Sequence, residues 1–194
     1  MTISGGSASA RRRPRTVPTL FLVRHAKAMN RERWDGPDSE RPLTKRGLEQ
    51  SGVIARQLFD LVGRTPSRVL SSPAVRCRQT VEPLAAASKL DVVEAEWLDE
   101  GSDGDGAFGQ LRELAVRGDP PSGSGGPVAA CSHGDVIWTI LERLARLGVD
   151  LGAGPYAPKG GVWVIKMTAS TVSDAHLYEP DIGRRQRDER TALT

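Results

Sequence analysis

The chain has 194 residues, 38% hydrophobic and 26% charged, which is enough apolar material for one domain with a buried core and argues against global disorder. No run of about 18 apolar residues is present, so no membrane span is expected. The two cysteines, Cys77 and Cys131, are too few for a disulfide framework and point to a reducing, cytoplasmic setting. The formal net charge of +3 belongs to the ends, where Arg11, Arg12, Arg13 and Arg15 precede position 19 and four arginines between 184 and 190 outnumber Asp188 and Glu189. The body between them is net negative, which disfavours a nucleic-acid-binding domain.

Residues 1–18 read as a disordered basic tail, since Thr16, Pro18 and Thr19 break any apolar signal segment. Thr19 to Arg24 is a short apolar run, as in a buried strand. A polar stretch containing Trp34 follows to Arg41; Trp34 could wall a pocket there. From Leu43, apolar residues recur at near-helical spacing (Leu48, Val53, Ile54, Leu58, Leu61 and Val62), which predicts an amphipathic helix over Thr44 to Val62. Arg68 to Ser71 is a second strand, followed by a helix to about Ser88 with Ser72 as cap and Pro73 in its first turn. Leu90 to Glu94 is a third strand. Gly101 to Gly109 reads as a loop, Phe108 to Arg117 as a helix, and Asp119 to Pro127 as a flexible Gly/Pro/Ser connection. Val128 to Cys131 is a strand and Gly134 to Leu147 a helix that turns Val136, Ile137, Ile140, Leu141 and Leu144 inward. Val162 to Met167 and Thr171 to Leu177 form a closing β pair, turned at Thr168 to Ser170, and 181–194 is a polar tail.

This alternation predicts an α/β fold over 19–180, a three-layer sandwich with a mostly parallel central sheet flanked by helices. In such sheets ligands sit beyond the carboxyl ends of the strands. Arg24-His25, Ser71 to Arg76 and Ser132-His133-Gly134 each follow a predicted strand. Two of the chain's three histidines therefore lie at strand ends, with two arginines beside them. Such a cationic cluster suits a phosphate, because guanidinium forks match phosphate oxygens and a helix N-terminus adds N–H donors. His176, inside the last strand, reads as structural.

LVRHAKA (Leu22 to Ala28), RPLTKRG (Arg41 to Gly47), SSPAVRCRQT (Ser71 to Thr80) and SHGD (Ser132 to Asp135) resemble, in this order, the signature segments of the histidine phosphatase superfamily. The resemblance is nearest to its SixA-type phosphohistidine phosphatase branch and covers about residues 19–177. It implies a phosphoglycerate mutase-like fold, His25 as the nucleophile that becomes phosphorylated, and Arg24, Arg76 and His133 as the groups that hold the phosphate. A neutral imidazole can attack phosphorus near pH 7 without a metal, and no zinc or magnesium spacing is present, so neither metal nor cofactor is expected. Leu98-Asp99-Glu100 resembles the mutase-like branch's Leu-x-Glu segment and points to Glu100 as proton donor, with Asp99, Asp103, Asp105 and Asp135 as alternatives. Two positions depart from the pattern: Ala26 stands where most of the superfamily has Gly, and Asn30 lies one position earlier than the mutase-type Asn.

Gly104 to Gly109 fits G-x-G-x-x-G, but no apolar strand precedes it and Asp103 and Asp105 would repel a pyrophosphate. Cys77 and Cys131 read as buried structural thiols, and Trp97, Trp138 and Trp163 as core. The expectation is a metal-independent phosphatase acting on a phosphorylated small molecule or a phosphohistidine protein, with no nucleic-acid or membrane partner. The alternatives are a phosphoglycerate mutase-type phosphotransferase and a non-catalytic phospho-ligand-binding protein. Similar domains also occur fused to Nudix-type nucleotide hydrolases, which makes nucleotide products conceivable substrates by analogy.

Overall fold

The computed structural model describes residues 17–62, 65–117, 127–152, 154–168 and 170–180. The expected C-terminal tail, nearly all of the basic tail and nearly all of the Gly/Pro/Ser connection lie outside these described residues. Six strands form one sheet: β1 (Thr19–Arg24), β2 (Arg68–Ser71), β3 (Val92–Glu94), β4 (Val128–Ser132), β5 (Val162–Met167) and β6 (Val172–Tyr178). Their order is β3-β2-β4-β1-β5-β6, with β3, β2, β4 and β1 parallel and β5 and β6 antiparallel beyond them. Four helices, α1 (Lys45–Val62), α2 (Val75–Ser88), α3 (Gly104–Arg117) and α4 (Gly134–Arg146), complete the described architecture with short 3₁₀ turns. The mostly parallel α/β sandwich expected from the sequence is what forms.

Apolar runs without alternation become strands buried on both faces. In β1, Leu20 and Leu22 join a core with Phe108 and Leu111 of α3 and with Ile137, Ile140, Leu141 and Leu144 of α4. Phe21 and Val23 point the other way, into a core with Ile54 and Leu58 of α1 and Val81 and Leu84 of α2. β5 repeats the pattern, with Trp163 and Ile165 on the first side and Val162 on the second. Burial at about 25 cal/mol per Å² of apolar surface is what fixes this register, since a one-residue slip would exchange the two faces.

Several expectations need correction. The helix after β2 begins at Val75 rather than at Pro73, and its capping position is Ala74. Ser72 does not cap it: its Oγ accepts the Ala74 N–H at 3.2 Å and donates to Asp99 at 2.7 Å. The glycine-rich 101–109 segment is a loop only as far as Asp103. There the side chain accepts the N–H groups of Asp105 and Gly106, which overcomes the poor helix propensity of the glycines and starts α3 at Gly104. β3 is shorter than expected, starting at Val92; Ser132 still belongs to β4, and α4 stops at Arg146. Leu48 and Trp138, both expected inside, are about half exposed, while Trp97 packs partly buried against the core. The side chains of Leu61 and Val62 lie outside the described residues.

Candidate active site

The parallel strands β1, β2 and β4 end side by side, and ladder bonding runs one residue past two of them. The His25 N–H donates to the Ser132 carbonyl at 3.1 Å, and the Ser72 N–H to the Cys131 carbonyl at 3.0 Å. Arg24, His25, Ser72 and His133 are thus held at one edge, and Arg76 reaches them from the first turn of α2. His25 is 6% exposed, Arg76 2% and His133 1%, while Arg24 is partly buried. The His25 and His133 rings lie 5.4 Å apart, edge to face. All four strand-end residues singled out in the sequence therefore come together.

The surroundings fix each group. His25 Nδ1 is 2.8 Å from the Ala26 carbonyl oxygen. A carbonyl only accepts, so Nδ1 carries the hydrogen and Nε2 keeps its lone pair. Burial, together with the charges of His133, Arg76 and Arg24, outweighs that hydrogen bond and pushes the His25 pKa down to about 3. The imidazole is consequently neutral at physiological pH.

Arg24 donates from Nη1 to the Ala157 carbonyl at 2.6 Å, and its guanidinium packs on Gly134. A Cβ on Gly134 would come within 2.7 Å of Arg24 Nη2, which explains the glycine in SHGD. The glycine of RPLTKRG has a parallel reason: a Cβ on Gly47 would run into the Lys27 carbonyl, which also receives the N–H and hydroxyl of Thr44 as α1 begins. The Nε groups of Arg24 and Arg76 are buried without a hydrogen-bond partner among the described residues, whereas most buried donors are paired.

Arg76 is gripped by acids. Its Nη1 meets Asp38 Oδ2 at 3.1 Å and the Asp38 carbonyl at 2.7 Å, and its Nη2 meets Glu100 Oε2 at 2.8 Å. Asp38 Oδ1 also accepts from Arg31 at 2.9 Å and Arg41 at 2.7 Å, and these two bonds hold its carboxyl well below the usual carboxylate range. Glu100 thus reaches the site through Arg76, though its side chain stays about half exposed. His133 Nε2 faces Ser72 Oγ at 2.9 Å and Asp99 Oδ1 at 3.3 Å, and its Nδ1 lies 3.3 Å from Arg76 Nη2. Burial alone would lower the His133 pKa; the hydrogen bond and charge of Cys77, with Glu100 farther off, raise it instead.

The remaining acids stand elsewhere. Asp103 caps α3, Asp105 pairs with Arg143 at 3.1 Å, and Asp135 accepts the Gly101 N–H at 2.7 Å. Asn30 caps a 3₁₀ turn at Arg31–Arg33, and Trp34 donates to the Pro37 carbonyl at 3.0 Å. His176 is exposed on β6 beside Asp174, away from these strand ends. Cys77 and Cys131 are buried free thiols, as expected, but Cys77 lies 3.4 Å from His133 Nε2 and so borders the site. Sequence reasoning missed Asp38 altogether and gave Arg31 and Arg41 no role. Asp38 lies three residues before Arg41, but it sits in a polar stretch without strand or long helix, so no periodicity aims it.

Among the described residues no group of three or more His, Cys, Asp or Glu side chains could hold a metal ion, and no helix is long and apolar enough to cross a membrane. The sequence model of the histidine phosphatase superfamily (branch 1) matches residues 20–117, a stretch containing Arg24, His25, Arg76 and Glu100. An 8-oxo-(d)GTP phosphatase of Mycolicibacterium smegmatis is 31% identical over 172 residues, 87% of this chain; the chain spans half of that relative's length. Among solved structures, the protein histidine phosphatase SixA complexed with tungstate superposes with a TM-score of 0.63 at 22% identity, covering 83% of this chain and 94% of that one. A phosphoglycerate mutase from Bacillus anthracis gives 0.55 at 19% identity, covering 81% and 91%. Both likenesses bear on the fold.

Proposed function

The chain belongs to the histidine phosphatase superfamily, and we propose that it is a metal-independent phosphatase that hydrolyses a phosphomonoester or a phosphohistidine through a phosphoryl group carried on His25. The observation that carries this reading is the state of His25: a neutral ring, its Nδ1 hydrogen tied to the Ala26 carbonyl, with Nε2 free beside Arg24, Arg76 and His133.

In the first step the Nε2 lone pair forms a bond to phosphorus as the bond from phosphorus to the leaving group breaks. Arg24, Arg76 and His133 hold the non-bridging oxygens and offset the charge that builds on them. As the phosphate takes over the Arg76 guanidinium, Glu100 is released from its ion pair with that residue, and in its protonated form it gives the leaving alkoxide a proton; an imidazole leaving from phosphohistidine needs less help. In the second step water attacks phosphorus, gives its proton to Glu100, and the N–P bond breaks to release orthophosphate and neutral His25. Asp99 and Ser72 orient His133 through its Nε2, so Asp99 is a positioning residue here.

A second reading concerns the substrate. The Mycolicibacterium smegmatis relative is named for a nucleotide, which favours a nucleoside phosphate over a protein phosphohistidine as the small-molecule case. The test of the chemistry is hydrolysis of p-nitrophenyl phosphate with EDTA present, wild type beside His25→Ala. EDTA-resistant turnover lost in the variant supports the proposal. Equal rates from both proteins sink it, and phosphate binding without turnover by the wild type moves the chain to the phospho-ligand-binding class.

A further inference from the structure

The chain has only five lysines, Lys27, Lys45, Lys89, Lys159 and Lys166, and two of them, Lys27 and Lys159, lie on different segments tied to the backbone that carries His25. The Gln50 side chain ties those segments together: its Oε1 accepts the Lys27 N–H at 2.9 Å and its Nε2 donates to the Lys159 carbonyl at 3.1 Å. Both attachments are anchored to the nucleophile's own backbone. Lys27 lies two residues after His25, and the Gly160 N–H, next to Lys159, is shared between the carbonyls of Arg24 and His25 at 3.1 and 3.2 Å. Gly160 adopts φ +81°, in the left-handed region, and a Cβ there would meet Gln50 Nε2 at 3.0 Å, so this bridge depends on a glycine.

Both lysine side chains are exposed, and neither has an ion pair among the described residues. Arg31, Arg41 and Arg76, by contrast, all rest on Asp38 or Glu100. Partial burial and the charges of Arg24, Arg41, Lys27 and Arg76 hold the Lys159 ammonium below the ordinary lysine value. Like charges gathered around two lysines that lack a carboxylate of their own repel one another, and an arriving anion relieves that repulsion. One phosphate is already assigned to Arg24, Arg76 and His133. Both lysines spring from backbone tied to the segment that carries His25, and this is the ground for setting an anion held by them beside the scissile phosphoryl.

Building on the phosphate-pocket reading above, we propose that Lys27 and Lys159, braced by Gln50, form a second anion subsite that selects substrates carrying a further phosphoryl group next to the scissile one, as in a phosphoanhydride. The probe pair is inorganic diphosphate and orthophosphate, titrated calorimetrically into the full chain. The wild type is expected to bind diphosphate about tenfold or more tightly than orthophosphate, as a second charge-assisted contact gives. Lys159→Ala or Lys27→Ala should each cut that preference at least about threefold, and the double variant should bring it near unity, with a smaller effect on orthophosphate. Lys166→Ala, on β5 and paired with Asp174, should change neither affinity. Orthophosphate binding without a diphosphate preference in the wild type, or a preference that survives in the double variant, would overturn the subsite alone. Binding of neither anion would overturn the phosphate pocket and the subsite with it.

Discussion

On one side of the pocket Arg31, Arg41 and Arg76 converge on the carboxylates of Asp38 and Glu100. On the other, Arg24 leans on a backbone carbonyl, and Lys27 and Lys159 meet no carboxylate among the described residues. At the centre of the acidic side, burial accounts for the pairing. Arg76 is 2% exposed, and a guanidinium taken that far out of water needs counter-charges and acceptors of its own. The two lysines lie at exposed positions, Lys159 only partly desolvated, and can stay uncompensated until a ligand arrives. The acidic side therefore arranges a phosphate-holding group in advance, while the basic side supplies attraction.

The largest expected effect breaks the acidic side at its centre. Arg76→Lys keeps the charge but loses the fork that spans Asp38 and Glu100, and should lower kcat/KM for p-nitrophenyl phosphate by about 100- to 1000-fold; a loss under about threefold would mean that Arg76 is not at the phosphate. Next comes Glu100→Gln, assayed on two leaving groups. An alkyl phosphate, whose alkoxide needs a proton, should slow by about 100-fold or more, and p-nitrophenyl phosphate, whose phenolate does not, by far less. Equal losses on both would return Glu100 to the role of a mere partner of Arg76.

The smallest effect is read in stability against pH. His25 has a folded pKa of about 3, below its ordinary value of 6.5, so the unfolded chain binds the extra proton first. Stability should fall as pH drops from about 6.5 towards 3, with this residue contributing a slope of up to about 1.4 kcal/mol per pH unit. Asp38, also depressed, contributes stability above the ordinary carboxylate value that is lost only at lower pH. Denaturant titrations of wild type and His25→Asn between pH 4 and 7 should therefore show a shallower slope in the variant; parallel curves would contradict the neutral, buried imidazole.

The same contrast explains what the sequence could reveal. Strands such as Thr19–Arg24 declare themselves because both faces are apolar, and residues directly after strand ends inherit their positions from the sheet. Arg24, His25 and His133 were legible for that reason, and Arg76 through the helix that follows Ser71. Asp38 and Lys159 come from irregular segments whose course is set by tertiary bonds, Asp38 by Arg41 and Arg76, and Lys159 by Gln50 and the turn at Gly160. Local pattern holds no record of those bonds. Ser72 misled for a related reason: Ser-Pro before a helix is a good cap in isolation, but Asp99 and His133 compete for its hydroxyl. The half-exposed Leu48 and Trp138 show that helical spacing marks a face without fixing its width.

The central claim is a phosphoryl group on His25, and it can be caught directly. Wild-type protein mixed with excess p-nitrophenyl phosphate, quenched in alkali to preserve the N–P bond, and digested for peptide mass spectrometry should carry one phosphoryl group on the peptide containing His25. That group should decay with added water time when substrate is removed, and it should be absent from His25→Ala. Turnover with no modified histidine, or with the phosphoryl group on His133 or a carboxylate, would contradict the account.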